Sequence, residues 1–103
     1  MRNIRRNPDI IWREEEEARE EAVKAMERGD DASGEGTALL VESGMMHQLN
    51  LLGGEIWKLL DGIDEEALVD RLAEVFDVDR ETLSRDVRDF LIDIDRRGWL
   101  VHE

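Results

Sequence analysis

The sequence contains no cysteine and only one proline among its 103 residues. The absence of cysteine excludes disulfide bonds, a thiol nucleophile and a cysteine-ligated metal or iron–sulfur cluster in this chain. No run of about 18 apolar residues is present, so the sequence predicts no transmembrane helix. The basic residues at its start are not followed by a long apolar segment, which argues against a secretory signal peptide. We therefore expect a soluble cytoplasmic protein.

Positive charge is also scarce, because 14 lysines and arginines face 27 acidic residues and the formal net charge is −13. Proteins that bind nucleic acid need a basic surface that displaces counterions from the phosphates. An anionic membrane surface likewise attracts basic segments. The charge therefore argues against both, and it suits a partner that is basic or uncharged.

The length and the hydrophobic content of 41% fit one globular domain with a modest core. A first strand is predicted at Ile10–Trp12, where β-branched and aromatic residues follow Pro8. Residues 15–28 are rich in strong helix formers and predict a helix. The segment Gly29–Gly36 predicts a flexible connection. We interpret residues 16–36 as an insertion between the first two strands.

A hairpin is predicted in the middle of the chain. Thr37–Val41 and Met45–Leu49 have the composition of strands, and the intervening Glu42–Gly44 has the composition of a turn. With the first strand, they predict a small three-stranded antiparallel sheet in which Met45–Leu49 is the third strand.

Three helices are predicted after the hairpin, each preceded by a residue that caps helices well. The helices are Leu51–Leu60, Glu65–Phe76 and Arg80–Arg97, and the caps are Asn50, Asp64 and Asp79. In the first helix, the pair Gly53–Gly54 indicates close packing against a neighbouring element. The last helix has an apolar stripe at helical spacing, made by Leu83, Val87, Phe90, Leu91 and Ile94.

These elements predict an α+β fold, in which a small three-stranded antiparallel sheet is followed by three helices. Three helices beside a hairpin also raise the possibility of a winged-helix DNA reader. The last helix does carry arginines at 80, 85, 88, 96 and 97, but acids at 81, 86, 89, 93 and 95 compensate them. A recognition helix should present uncompensated basic residues to the groove, so the sequence disfavours DNA binding.

No set of residues in the sequence indicates catalysis. His47 and His102 are too far apart to form a ligand pair by spacing. Ser33, Ser43 and Ser84 lack the sequence around a nucleophile elbow. The segment "LLGGEIW" matches neither common phosphate-loop pattern. The acidic run Glu14–Glu17 is typical of a solvated helix face. We therefore expect no enzymatic activity, no metal and no cofactor.

A polypeptide-binding surface is the remaining hypothesis. The edge of a sheet carries unpaired N–H and C=O groups that can add a strand from an extended peptide. The third predicted strand, "MMHQL", contains no lysine or glutamate that would discourage such pairing. Its successive N–H groups point alternately inward and outward, so either Met45 and His47 or Met46 and Gln48 face a peptide.

Three segments of the sequence resemble the PqqD family, small peptide chaperones also called RiPP recognition elements. They are "DIIWREE" (9–15), "ALLVESGMMHQLNLLGGEIWKLLDG" (38–62) and "EEALVDRLAEVFDVDRETLSRDVRDFLIDIDRRGWL" (65–100). The most specific parts are the "LN" entry to the helix, its "IWKLLDG" exit and the closing "RGWL". Residues 16–36 depart from the compact family pattern.

The resemblance implies a single winged-helix-like domain over residues 1–103. It implies that the leader segment of a precursor peptide adds as a strand beside the third strand and the last helix. It also implies delivery of that peptide to a radical S-adenosylmethionine (SAM) enzyme. An acidic winged-helix regulator or an assembly adaptor is the alternative. We expect a monomer or a weak homodimer.

The predicted peptide-binding residues lie on two elements. The third strand contributes Met45, Met46, His47, Gln48 and Leu49. Because the apolar stripe of the last helix must face the core, the flank beside it is available to a ligand. This flank carries Arg85, Asp89, Ile92 and Arg96.

Overall fold

The computed structural model describes residues 3–30 and 36–103. In chain order its elements are β1 (Ile4–Arg6), β2 (Ile11–Glu14), α1 (Glu16–Glu27), β3 (Ala38–Glu42), β4 (Met45–Leu49), α2 (Leu51–Leu59), β5 (Asp61–Ile63), α3 (Glu65–Ala73), α4 (Arg80–Arg96) and β6 (Leu100–His102). The predicted α+β class is confirmed. None of the described helices is long and apolar enough to cross a membrane.

The chain forms two compact units. Residues Pro8–Glu55 make one, here called the sheet unit, and Met1–Asn7 with Ile56–Glu103 make the other, called the helical unit. Helix α2 contributes its first residues to the sheet unit and its last residues to the helical unit. That all 103 residues act as one domain stays a prediction.

The sheet unit contains the predicted three-stranded antiparallel sheet, with the strand order β2-β3-β4. Apolar residues that alternate along the chain form its buried face, where Ala38 and Leu40 are both buried. The strand predicted at Ile10–Trp12 corresponds to β2, which begins one residue later, at Ile11. Most of the predicted connection Gly29–Gly36, including Ser33, lies outside the described residues.

Helix α1 belongs to the sheet unit and contributes a buried apolar side chain and a charged contact. Ala22 is completely buried. The Arg19 guanidinium donates a hydrogen bond to the Glu55 carboxylate at 2.7 Å, and Glu14 lies 3.4 Å away. The hydrogen bond to Glu55 raises the pKa of Arg19, although partial burial opposes this. The helix predicted at residues 15–28 is confirmed, with the bounds Glu16–Glu27.

The start of α2 is capped by Asn50 and packs closely against the start of β3 at Gly54. The Asn50 side chain accepts a hydrogen bond from the Gly53 N–H at 2.9 Å, as the sequence predicts. A Cβ atom at Gly54 would lie 2.9 Å from Thr37 Oγ1 and 3.4 Å from the Ala38 Cβ. Only a residue without a side chain therefore fits where α2 crosses the start of β3.

The helical unit is built around α3 and α4. Asp64 accepts a hydrogen bond from the Ala67 N–H and Asp79 accepts one from the Thr82 N–H, so both predicted caps are confirmed. Helix α3 ends at Ala73, three residues before the predicted end. The stripe of α4 faces the core as predicted, with Leu83, Val87, Leu91 and Ile94 buried and Phe90 half-buried.

A second sheet, with the strand order β5-β1-β6, is absent from the sequence prediction. Its three strands have three residues each, which is too short for an alternating pattern to appear. Arg6 of β1 donates hydrogen bonds to the C=O groups of Trp57 and Lys58, both at 2.9 Å. These bonds add to the capping of the last carbonyls of α2.

Candidate functional site

Strand β4 lies at an edge of the β2-β3-β4 sheet. Within the described residues, it pairs with β3 alone, over five consecutive residue pairs from Glu42↔Met45 to Ala38↔Leu49. Its other side is therefore an open sheet edge. Met45, Met46 and Gln48 are exposed, His47 is half-buried and the Leu49 side chain is buried.

The turn before β4 determines which of its backbone groups face outward. Ser43 and Gly44 both have positive φ, 49° and 79°, and they are the two central residues of the turn. This is the backbone of a two-residue type I′ hairpin, in which the flanking pair exchanges both hydrogen bonds. Met45 therefore bonds inward to Glu42, and the inward residues of β4 are Met45, His47 and Leu49.

A hydrogen bond at the other end of the ladder supports the same assignment. The Thr37 N–H donates to the Leu49 C=O at 2.7 Å, so this carbonyl faces β3. Alternation along the strand then directs the N–H and C=O groups of Met46 and Gln48 to the open edge. The structure thus decides between the two pairs of positions that the sequence left open.

The two faces of the sheet differ beside this edge. On the buried face, His47 is aligned with Leu40 of β3 and Trp12 of β2. On the opposite face, Met46 is aligned with Val41 and Ile11. Met46 is 66% exposed and Ile11 is 72% exposed, while Val41 is half-buried. We call Ile11, Val41 and Met46 the apolar row.

Gln48 lies on the same face as the apolar row and lines a groove. The groove has a volume of about 750 Å³, and its lining is formed by Glu14, Glu15, Glu16, Glu17, Ala18, Gly36 and Gln48. Gly36 is close to the Gln48 side chain, because a Cβ atom at Gly36 would lie 3.0 Å from its Cδ atom. We call this feature the acidic groove, and it reaches the open edge of β4 at Gln48.

The predicted flank of α4 lies in the helical unit. Arg85, Asp89, Ile92 and Arg96 are all exposed. Ile92 is the apolar member, with 46% of its surface exposed. The Arg85 guanidinium is 4.0 Å from the Glu81 carboxylate, a distance at which an exposed ion pair contributes little. That this flank and β4 bind the same peptide stays a prediction.

The two histidines belong to different units, His47 to the sheet unit and His102 to the helical unit. His102 lies 2.9 Å from the Asp95 carboxylate. His47 is on β4 with its side chain half-buried. Among the described residues, no group of three or more histidine, aspartate or glutamate side chains is arranged to hold a metal ion.

Comparisons with known proteins give one family match and one structural match. Residues 35–100 match the model of the family described as Coenzyme PQQ synthesis protein D (PqqD). The fold is similar to that of the structure "TbiB1 in Complex with the TbiA(beta) Leader Peptide", with a TM-score of 0.64 and 24% sequence identity. The match covers 93% of this chain and 93% of that chain. A search of curated proteins found no significant match.

Proposed function

This chain belongs to the PqqD family, and from that premise we propose that it is a non-catalytic chaperone for the leader segment of a ribosomally made precursor peptide. The leader adds as a strand to the open edge of β4. The similar fold of TbiB1, which was solved with a leader peptide, supports the proposal.

The observation that carries the proposal is the direction of the backbone groups of β4. Met46 and Gln48 present N–H and C=O groups to an edge that has no charged side chain on the strand itself. Each N–H and C=O pair is able to bond to an extended peptide, and main-chain bonds of this kind provide affinity in strand addition. These main-chain hydrogen bonds therefore depend little on the identity of the peptide's side chains.

We further propose that the bound leader brings the precursor to a radical SAM enzyme. A chaperone that binds both raises the effective concentration of the peptide at the enzyme without any new contact to the reacting residues. This chain has no cysteine, so the iron–sulfur chemistry belongs to the enzyme. We expect the purified chain alone to leave the precursor peptide unchanged in mass.

A titration with a candidate leader peptide tests the proposal. The fluorescein-labelled leader is titrated with the chain, first alone and then with the partner enzyme present. We expect saturable binding alone and a ternary complex with the enzyme. If the leader binds the enzyme equally well without the chain and does not bind the chain, the chain is instead an adaptor or a regulator.

Substitution of Ile92 tests the contribution of the α4 flank. Ile92→Glu places a charge where an exposed apolar side chain is available to the leader, so we expect about fivefold weaker leader binding. The melting temperature should hardly change, because Ile92 is already 46% exposed. Val78→Glu is the matched control, since Val78 is 51% exposed and lies off this flank.

Equal leader affinity in the Ile92→Glu and Val78→Glu variants would show that the α4 flank does not contribute to leader binding. Strand addition to β4 would be unaffected by that result, because the two surfaces are tested by separate substitutions.

A further inference from the structure

The two outward residues of β4 lie beside two different chemical environments. Met46 ends the apolar row, in which Ile11 and Met46 are mostly exposed. Gln48 lines the acidic groove. Met46 and Gln48 are on the same face of the sheet, and both environments lie within the sheet unit and reach the edge at which a strand would add.

The geometry of strand addition relates these environments to positions in the peptide. An added antiparallel strand forms hydrogen-bonded pairs with the outward residues, so one peptide residue lies opposite Gln48 and another opposite Met46. Directly paired side chains lie on the same face of a sheet, with Cβ atoms about 5 Å apart. These two peptide residues are therefore separated by one other residue, which points to the opposite face.

The electrostatics of the groove select the residue opposite Gln48. Four carboxylates line the groove. Two arginines lie beside it: Arg13, which is aligned with Gln48 through Leu39 and is 3.1 Å from Glu15, and Arg19, which is 3.4 Å from Glu14. The groove therefore remains negative. Lysine or arginine has a long stem that can lie over Gln48 and bring its charge toward the carboxylates. An acidic residue there would be repelled.

The residue opposite Met46 extends the apolar row across the added strand. Cross-strand pairs of apolar side chains on one face stabilise a sheet, and here the peptide side chain would cover the exposed side of Met46. Because antiparallel strands run in opposite directions, the residue opposite Gln48 precedes the residue opposite Met46 in the peptide.

Resting on the proposed function, we propose that the leader carries a lysine or arginine followed two residues later by an apolar residue, held respectively over the acidic groove and beside Met46. The strand edge supplies the backbone bonds, and these two side chains supply the selectivity. The peptide is thus basic at one position, in keeping with a chain whose net charge is −13.

Selection from a random peptide library tests this motif without knowledge of the natural leader. Short random peptides are displayed on their messenger RNA and selected on three immobilised full-length chains. These chains are the parent, the double variant Glu16→Gln/Glu17→Gln and the control Glu21→Gln/Glu27→Gln. Both double variants remove the same charge from exposed positions of α1, but only the first alters the groove.

We expect the parent and the control to enrich peptides with a basic residue two positions before an apolar one. The Glu16→Gln/Glu17→Gln variant should lose the basic preference and keep the apolar one. For a synthetic peptide of the enriched motif, affinity for that variant should fall about two- to fivefold, as for an exposed ion pair. The difference should shrink at high salt, because screening weakens such pairs.

Two outcomes overturn the motif. Enriched peptides that lack the basic preference, or that show it equally on both double variants, exclude the groove as the selecting feature. A reversed order, with the apolar residue first, excludes the antiparallel arrangement. In either case, strand addition to β4 would still be supported if a Gln48→Pro variant failed to bind the peptides that are enriched on the parent. If no peptide is enriched on the parent, both the motif and the proposed function are wrong.

Discussion

Proline at Met46 or Gln48 is expected to weaken leader binding about fivefold or more while the protein stays folded. These residues direct their N–H groups to the open edge, and proline has no N–H to donate. Each lost hydrogen bond should cost about 1 kcal/mol or more of binding free energy. Proline at His47 should act differently, because the N–H of that residue bonds to β3. We expect it to lower the free energy of unfolding by about 1–3 kcal/mol.

The measurements are leader affinity by fluorescence anisotropy and stability by urea denaturation, for each variant. Met46→Ala and Gln48→Ala are the matched controls, since they change the side chain and keep the N–H. The assignment of outward groups is wrong if proline at Met46 or Gln48 destabilises the fold as much as proline at His47. Strand addition itself is wrong if all folded proline variants bind leader as the parent does.

A side chain at Gly54 is expected to destabilise the sheet unit. Valine would force its Cβ atom to within 2.9 Å of Thr37 Oγ1, and its two methyl groups would need further space beside Ala38. Thr37 is buried and its β-branched side chain has few alternative rotamers. Overpacking of this kind costs about 1–3 kcal/mol. We therefore expect Gly54→Val to lower the free energy of unfolding by about 3 kcal/mol.

A double-mutant cycle identifies the clash with Thr37 as the cause. Glycine-to-alanine substitution within a helix normally stabilises it by about 1 kcal/mol. We expect Gly54→Ala to destabilise the parent but to stabilise a Thr37→Ala background, in which Oγ1 is absent. Additive effects of the two substitutions would show that Thr37 does not exclude a side chain at Gly54.

Local signals in the sequence were sufficient for much of the fold. Asn50, Asp64 and Asp79 cap the helices that they were predicted to begin. The stripe of α4 and the strands of the hairpin were also predicted, because helical spacing and alternation are properties of neighbouring residues. Strands β1, β5 and β6 were not, since short strands are stabilised by distant partners rather than by their own composition.

The sequence predicted that the candidate site is a sheet edge. It did not predict which backbone groups of the edge strand face outward. The sequence indicated a third strand without charged residues that would discourage pairing, and Met45–Leu49 is such a strand. The acidic groove was not predicted, because Gly36 and Gln48 are brought beside Glu14–Glu17 only when the strands pair. In the sequence alone, these glutamates are typical of a solvated helix face.

The sequence by itself determined the α+β class, the position of the hairpin and the composition of the third strand of the sheet. Only the tertiary structure decided which groups of that strand face a ligand. The sequence predicted a turn at Glu42–Gly44, whereas Glu42 pairs with Met45 and the turn has two central residues, Ser43 and Gly44. Because side chains and N–H groups alternate with a period of two, one residue more or less in the turn exchanges the inward and outward sets.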